Sequence, residues 1–349
     1  MNILLSILFM IIGLYLLIKG SDIFVESGTT IGKMFKMSEV LIGLTIVCIG
    51  TGLPELILSI NGSISGNSNL VIGNIVGTNI FNMCVILGFI CVLHPLKFLR
   101  QTIRKDMHMS LLSAIALFFL LLDNFKNSCE QNVISSSDAV ILLLFFAIFV
   151  YYTFYEITDY LRDRREKKYQ AQKSQKTSKN IKNIVEEKKD VHTYTIKDIR
   201  VLFKNIAIAL IGILMVHIGA KLTVNSSVRI AEFFNVSQTF ISIVIIAVGT
   251  SLPELTTSYV AIKKNRINIA IGNLIGSNMF NTLCVLGTSA LINPIQLEGS
   301  YLLVDCSVFI LVCLVMVLFT KRKPEISRFE GFSLFTIYIL YITYVMYRR

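Results

Sequence analysis

Residues 42–88 recur at 241–287 without a gap, with 19 of 47 positions identical. The matched cores are GTGLPEL (50–56) against GTSLPEL (249–255), and IGNIVGTNIFN (72–82) against IGNLIGSNMFN (271–281). Gly13 and Gly20 fall on Gly212 and Gly219 at the same offset of 199. A duplication of this extent constrains the fold more than any single motif, because the same unit is built twice and has to pack against its own copy.

Both copies lie in long apolar runs. Only 16% of the 349 residues are charged and 54% are hydrophobic, against about 25% charged in a soluble domain. Windows of spanning length fall near 3–19, 38–60, 69–93, 108–122, 138–155, 201–220, 237–260, 268–292, 301–319 and 331–347. A span needs about 20 apolar residues, so no room remains for a separate soluble domain. The chain reads as an all-α polytopic membrane protein. The run from Ile3 to Ile18 has no basic segment before it and no small-residue cleavage site, and is expected to be a first span. The seven Cys and four His are scattered without metal-ligand spacing, and the Cys read as apolar fillers.

The single long polar segment, 159–198, is rich in Lys, Gln and Ser and reads as a solvated linker. Placing it in the cytoplasm puts the N-terminus outside, since five spans precede it. That orientation leaves 28 Lys and Arg inside and 5 outside, a strong positive-inside bias. The net charge of +11 is thereby a topology signal, and nucleic acid is not a partner. The expected layout is a first five-helix repeat at 1–155, a basic cytoplasmic loop at 156–200 and a second repeat at 201–349. Five is odd, so the second repeat enters the membrane in the opposite sense. Ten transmembrane helices as two inverted five-helix repeats is a transporter architecture, with its site at the midplane.

Of 22 acidic residues, only Glu55 and Glu254 fall deep within apolar spans. A charge there costs about 2.5–3.5 kcal/mol on insertion scales, so both must face a polar interior or bind something. Each follows a proline, Pro54 or Pro253, which removes an amide donor and crowds the carbonyl four residues back. Local unwinding is expected there, freeing carbonyls near Cys48–Thr51 and Ala247–Thr250. Thr51 shares a helix face with Glu55, and Thr250 with Glu254. The next helices carry Asn74, Thr78 and Asn82, and Asn273, Ser277 and Asn281, each at i, i+4, i+8. Asn74 and Asn273 have an alternative reading as simple interhelical hydrogen-bonding groups. Gly73, Gly77, Gly272 and Gly276 beside these stripes permit close helix approach. Carboxylates, hydroxyls, amides and carbonyls are hard oxygen ligands, which suit Ca²⁺, Na⁺ or Mg²⁺ and disfavour zinc or copper. The cargo is expected to be a cation, and the chain needs no cofactor.

At these residues the sequence resembles the cation/calcium exchanger superfamily, most closely its prokaryotic sodium/calcium antiporters. The resemblance covers both repeats and excludes the central loop. It implies exchange of Ca²⁺ for Na⁺ by alternating access, with spans one and six sliding past a rigid remainder. It further implies that Glu55 and Glu254 bind both ions with the backbone oxygens of Thr51 and Thr250. Flanking Na⁺ sites would use the Cys48 carbonyl, Thr51 and Thr78 on one side, and the Ala247 carbonyl, Thr250, Ser251 and Ser277 on the other. Asn82 and Asn281 would complete the centre. Two departures stand out: Gly52 where the second repeat has Ser251, and Asn281 where many members have Asp. Ca²⁺/H⁺ exchange on the same scaffold is the alternative. A channel would more naturally be a ring of subunits. An intramembrane hydrolase lacks a His or Lys base near the motifs, so no enzyme is expected. The expected location is a bacterial inner (cell) membrane.

Overall fold

A computed structural model describes residues 3–97, 105–126, 132–155, 196–234, 247–297, 301–322 and 325–347. Among them, eight helices are long and apolar enough to cross a membrane: α1 (Ile3–Met34), α2 (Glu39–Ile64), α3 (Ser68–Leu93), α5 (Ser136–Tyr155), α6 (Ile199–Phe233), α8 (Ile267–Ile292), α9 (Leu302–Arg322) and α10 (Arg328–Tyr347). Two further helices are α4 (Asp106–Lys126) and α7 (Leu252–Lys263), the latter preceded by a short turn of helix, Ala247–Thr250. The seventh expected span begins at 237 and is described only from 247; most of the basic loop likewise lies outside the described residues.

Two helices run on past their apolar windows. The first span was expected to end near 19, yet α1 continues to Met34; the sixth was expected over 201–220, yet its helix runs Ile196–Phe233. An apolar run ends where the bilayer ends, whereas a helix ends where its hydrogen bonding is interrupted. In α1 that happens at Lys36, which takes a left-handed φ of 56° while Met37 N–H donates to the Gly32 carbonyl. Gly66 closes α2 and Asn265 closes α7 in the same left-handed manner, at positions 199 apart.

Burial divides the helices into an inner and an outer set. In α8, 94% of the apolar window is buried and in α3 78%, against 22% in α1 and 17% in α6. The repeated helices thus form the interior. The outer helices present Leu4, Leu8, Ile11, Tyr15, Phe203, Leu210 and Leu214 outward, the surface that lipid solvates. The protein is an integral membrane protein.

The two halves make contacts that are reproduced when residue i is exchanged with i+199. Helices α1 and α6 touch backbone to backbone. A Cβ on Gly13 would lie 2.9 Å from the Gly219 carbonyl oxygen, and one on Gly219 2.7 Å from that of Gly13. Gly20 and Gly212 meet in the same way, at 2.9 and 3.0 Å. Only glycine permits such an approach. Gly272 of α8 likewise has the Leu44 backbone nitrogen of α2 within 3.0 Å of its Cβ position, and Gly276 has Cys48 there. The stretch that the repeat would place opposite Gly73, residues 239–243, is not among the described residues. Short strands β1 (Leu96–Lys97), β2 (Asn132–Ile134), β3 (Ile295–Leu297) and β4 (Glu325–Ile326) are also exchanged between the halves, β1 corresponding to β3 at an offset of 199 and β2 to β4 at 192. The strand after α3 pairs with the one before α10, and the strand before α5 with the one after α8, both antiparallel.

A candidate cation site between the repeats

The expected unwinding at the two prolines is seen in one repeat only. In the first, the helix Cys48–Ile64 runs through Pro54, and the irregularity lies earlier, as a π-helical turn over Gly43–Val47. One lost hydrogen bond bends a helix without ending it when the neighbouring bonds persist. In the second, the helical turn Ala247–Thr250 stops, Ser251 adopts φ −91° and ψ 4°, and α7 starts afresh at Leu252.

Both carboxylates are buried, Glu55 at 1% exposure and Glu254 at 0%, and each lies within Coulombic reach of the other. Thr51, Ser251, Thr78, Ser277, Asn82 and Asn281 are also buried. Asn281 faces α2, its Oδ1 lying 3.9 Å from the Cβ position of Gly52. Thr51 Oγ donates within its own helix to the Val47 carbonyl (3.2 Å) or the Cys48 carbonyl (3.4 Å), or across to Asn273 Oδ1 (3.3 Å). Asn273 in turn donates to Ser258 Oγ of α7 at 3.0 Å, so it bridges three inner helices and is spent on packing. The Cys48 thiol turns back onto the Leu44 carbonyl at 2.8 Å, leaving that residue only a carbonyl to offer. Thr250 lies in the short turn before α7, and Ala247 opens that turn.

Among the described residues, several oxygens in this group have no hydrogen-bond partner: both carboxylate oxygens of Glu55 and of Glu254, the hydroxyls of Ser251 and Ser277, and Oδ1 of Asn82 and of Asn281. Leaving a neutral polar group so placed costs about 1–3 kcal/mol, and a charged group more. All eight atoms are hard oxygen acceptors, and no third acid, His or Cys joins them among the described residues. Two negative charges amid neutral oxygens suit one divalent ion or two monovalent ones.

Sequence reasoning passed over Asn79 and Asn278, both wholly buried. They meet where α3 crosses α8. Asn82 Nδ2 donates to Asn278 Oδ1 at 3.2 Å, and its repeat counterpart Asn281 donates to Asn79 Oδ1 at 3.4 Å. The signal was present, since both stand inside the matched motif as identical residues, but they fall off the i, i+4, i+8 stripe. Each repeat also makes a π-helical turn at this level, over Asn82–Ile86 and Phe280–Val285. Such turns cluster at functional sites.

The chain matches the family model described as "Sodium/calcium exchanger protein" over residues 5–155 and 204–347. It is 35% identical over 342 residues to sodium/calcium exchanger MaX1 of Methanosarcina acetivorans, covering 94% of this chain and 95% of the relative. To the inner membrane protein YrbG of Escherichia coli it is 29% identical over 332 residues, covering 95% and 94%. Its structure resembles that of the sodium-calcium exchanger NCX_Mj with a TM-score of 0.75 and 27% identity, over 99% of this chain and 100% of that one.

Proposed function

This chain belongs to the sodium/calcium exchanger protein family, and we propose that it exchanges Ca²⁺ for Na⁺ by alternating access at a midplane site built on Glu55 and Glu254. It is a transporter and not an enzyme. The observation that carries the site is a set of eight buried oxygens without a hydrogen-bond partner among the described residues, six of them on the symmetry-related pairs Glu55/Glu254 and Asn82/Asn281. Two carboxylates this close and this dry repel each other unless cations sit between them. One Ca²⁺ neutralises both. When it leaves, Na⁺ has to take its place, so reorientation without cargo is disfavoured and the two fluxes are tied together.

The remaining ligands follow the repeat. Thr51, Thr78 and the Cys48 carbonyl flank one side of the pair, and Thr250, Ser251, Ser277 and the Ala247 carbonyl flank the other, with Asn82 and Asn281 at the centre. Gly52 gives the first side one hydroxyl fewer than the second. In our reading the chain is ten transmembrane helices in two inverted repeats, 1–155 and 201–349, joined by the basic loop 156–200, with its N-terminus outside the cell membrane of a bacterium. The reciprocal glycine contacts and the exchanged strand pairs support that symmetry, and the distribution of Lys and Arg supports the orientation. Helices α1 and α6 are the moving pair. Leu17, Val216 and Ala220 give them a small apolar cluster of their own, apart from the main core.

Purified protein in Na⁺-loaded vesicles is expected to take up Ca²⁺ against its gradient, and Glu55→Gln or Glu254→Gln to abolish uptake. Uptake driven by a pH gradient alone would replace Na⁺ with H⁺ as the counter-ion. Uptake that survived either substitution would overturn the assignment of the site.

A further inference from the structure

We infer that Asn79 and Asn278 are positioning residues that hold the carboxamides of Asn82 and Asn281 with their oxygens, not their amino groups, toward the carboxylate pair. The inference rests on the proposed cation site and adds to it the device that sets its polarity. A carboxamide has one accepting end and one donating end. Turned the wrong way, Asn82 or Asn281 would present an NH₂ group to a cation and weaken binding rather than support it.

The orientation follows from groups whose character is not in question. A backbone carbonyl only accepts. Asn278 Nδ2 lies 3.3 Å from the Asn79 carbonyl oxygen, and Asn79 Nδ2 lies 3.5 Å from that of Asn278. Each of these two amides must therefore turn its NH₂ toward the other's backbone, and its Oδ1 away. Thr282 Oγ, at 2.8 Å, takes a further N–H from Asn79. The two Oδ1 atoms so fixed are the acceptors met by Asn82 and Asn281. Asn82 and Asn281 are thereby compelled to donate inward and to leave Oδ1 outward, and among the described residues these are the two amide oxygens that are buried without a partner. The chain of compulsion crosses the repeat boundary in both directions, so each half orients the ligand of the other. The halves differ at one point: Met83 stands where the second repeat has Thr282, leaving Asn278 without the equivalent hydroxyl.

A carboxylate separates orientation from simple packing, because Asp presents an oxygen whichever way it is turned. Asn278→Ala is expected to raise the apparent KM for Ca²⁺ roughly tenfold in the native background, in proportion to one lost cation ligand. In an Asn82→Asp background the same change should produce no further rise, or a fall, because it removes an acceptor facing the new carboxylate. The mirror set, Asn79→Ala with and without Asn281→Asp, reads the same relation independently, so misfolding of one variant does not remove the test. An equal rise in both backgrounds would show a packing role only, and no rise in the native background would show no role; either result overturns the inference. The Ca²⁺-dependent increase in melting temperature of the detergent-solubilised protein gives the same comparison without transport. If the unmodified protein moves no Ca²⁺ in either a Na⁺ or a pH gradient, the proposed function fails, while the thermal shifts still report on orientation.

Discussion

Replacing Gly219 with Ala places a methyl group inside the contact between α1 and α6. Its Cβ would lie 2.6 Å from the Leu17 backbone nitrogen and 2.7 Å from the Gly13 carbonyl oxygen, where ordinary contact begins at 3.4 Å. Both atoms belong to the helix backbone, so no side chain can rotate aside, and the helices must separate by about 0.7 Å or more. Overpacking of this kind costs about 1–3 kcal/mol, and contacts this short belong at the upper end. Ala recovers about 1 kcal/mol over Gly in helix propensity. The net expectation is a loss of about 2 kcal/mol. Gly28→Ala in α1 is the matched control: among the described residues its Cβ would meet only Ile46 Cγ2, at 3.3 Å. That substitution is expected to be neutral or slightly stabilising, about 0.5 kcal/mol at most. Reversible unfolding of both variants in mixed micelles measures the difference. Ca²⁺ affinity should hold in Gly219→Ala, since Glu55 and Glu254 lie on α2 and α7. A Gly219→Ala protein as stable as Gly28→Ala would refute the reasoning, because the two helices could not then be in backbone contact.

Two further outcomes are expected. Gly52→Ser would supply the hydroxyl that the first repeat lacks, but its Cβ would lie 2.8 Å from Phe280 Cδ1. The variant should lose about 1–2 kcal/mol, largely restored when Phe280→Leu is added, as read by unfolding in micelles. With Cys129→Ser removing the one cysteine expected in an outer loop, Ser65→Cys should react with an impermeant thiol reagent added outside intact cells and Lys36→Cys should not. The reverse pattern would invert the topology.

Much of the site was legible in the sequence because its cost is local. A carboxylate in a long apolar run is expensive in any fold, and Glu55 and Glu254 are that feature twice over. The repeat likewise announced which residues are equivalent. Equivalence is not contact, however. The offset matches Gly13 with Gly212, yet Gly13 touches Gly219 and Gly20 touches Gly212. Two helices related by symmetry and running in opposite senses bring early positions of one against late positions of the other. Asn273 has the same residue type and spacing as the site residues, but two neighbouring hydroxyls occupy it.

By itself the sequence determined the membrane environment, the duplication and the paired charges, since each depends only on residue type, count and spacing. Only the tertiary structure decided that α1 and α6 outrun their apolar segments, that Pro54 leaves its helix unbroken while the chain pauses at Ser251, and that Phe280 lies over Gly52. It alone decided the roles of Asn79 and Asn278. The physical reason is common to all of these: which end of an amide faces a cation, and whether a glycine is needed, depend on the atoms opposite. Those atoms are brought into place by residues some 200 positions away along the chain, on the other repeat.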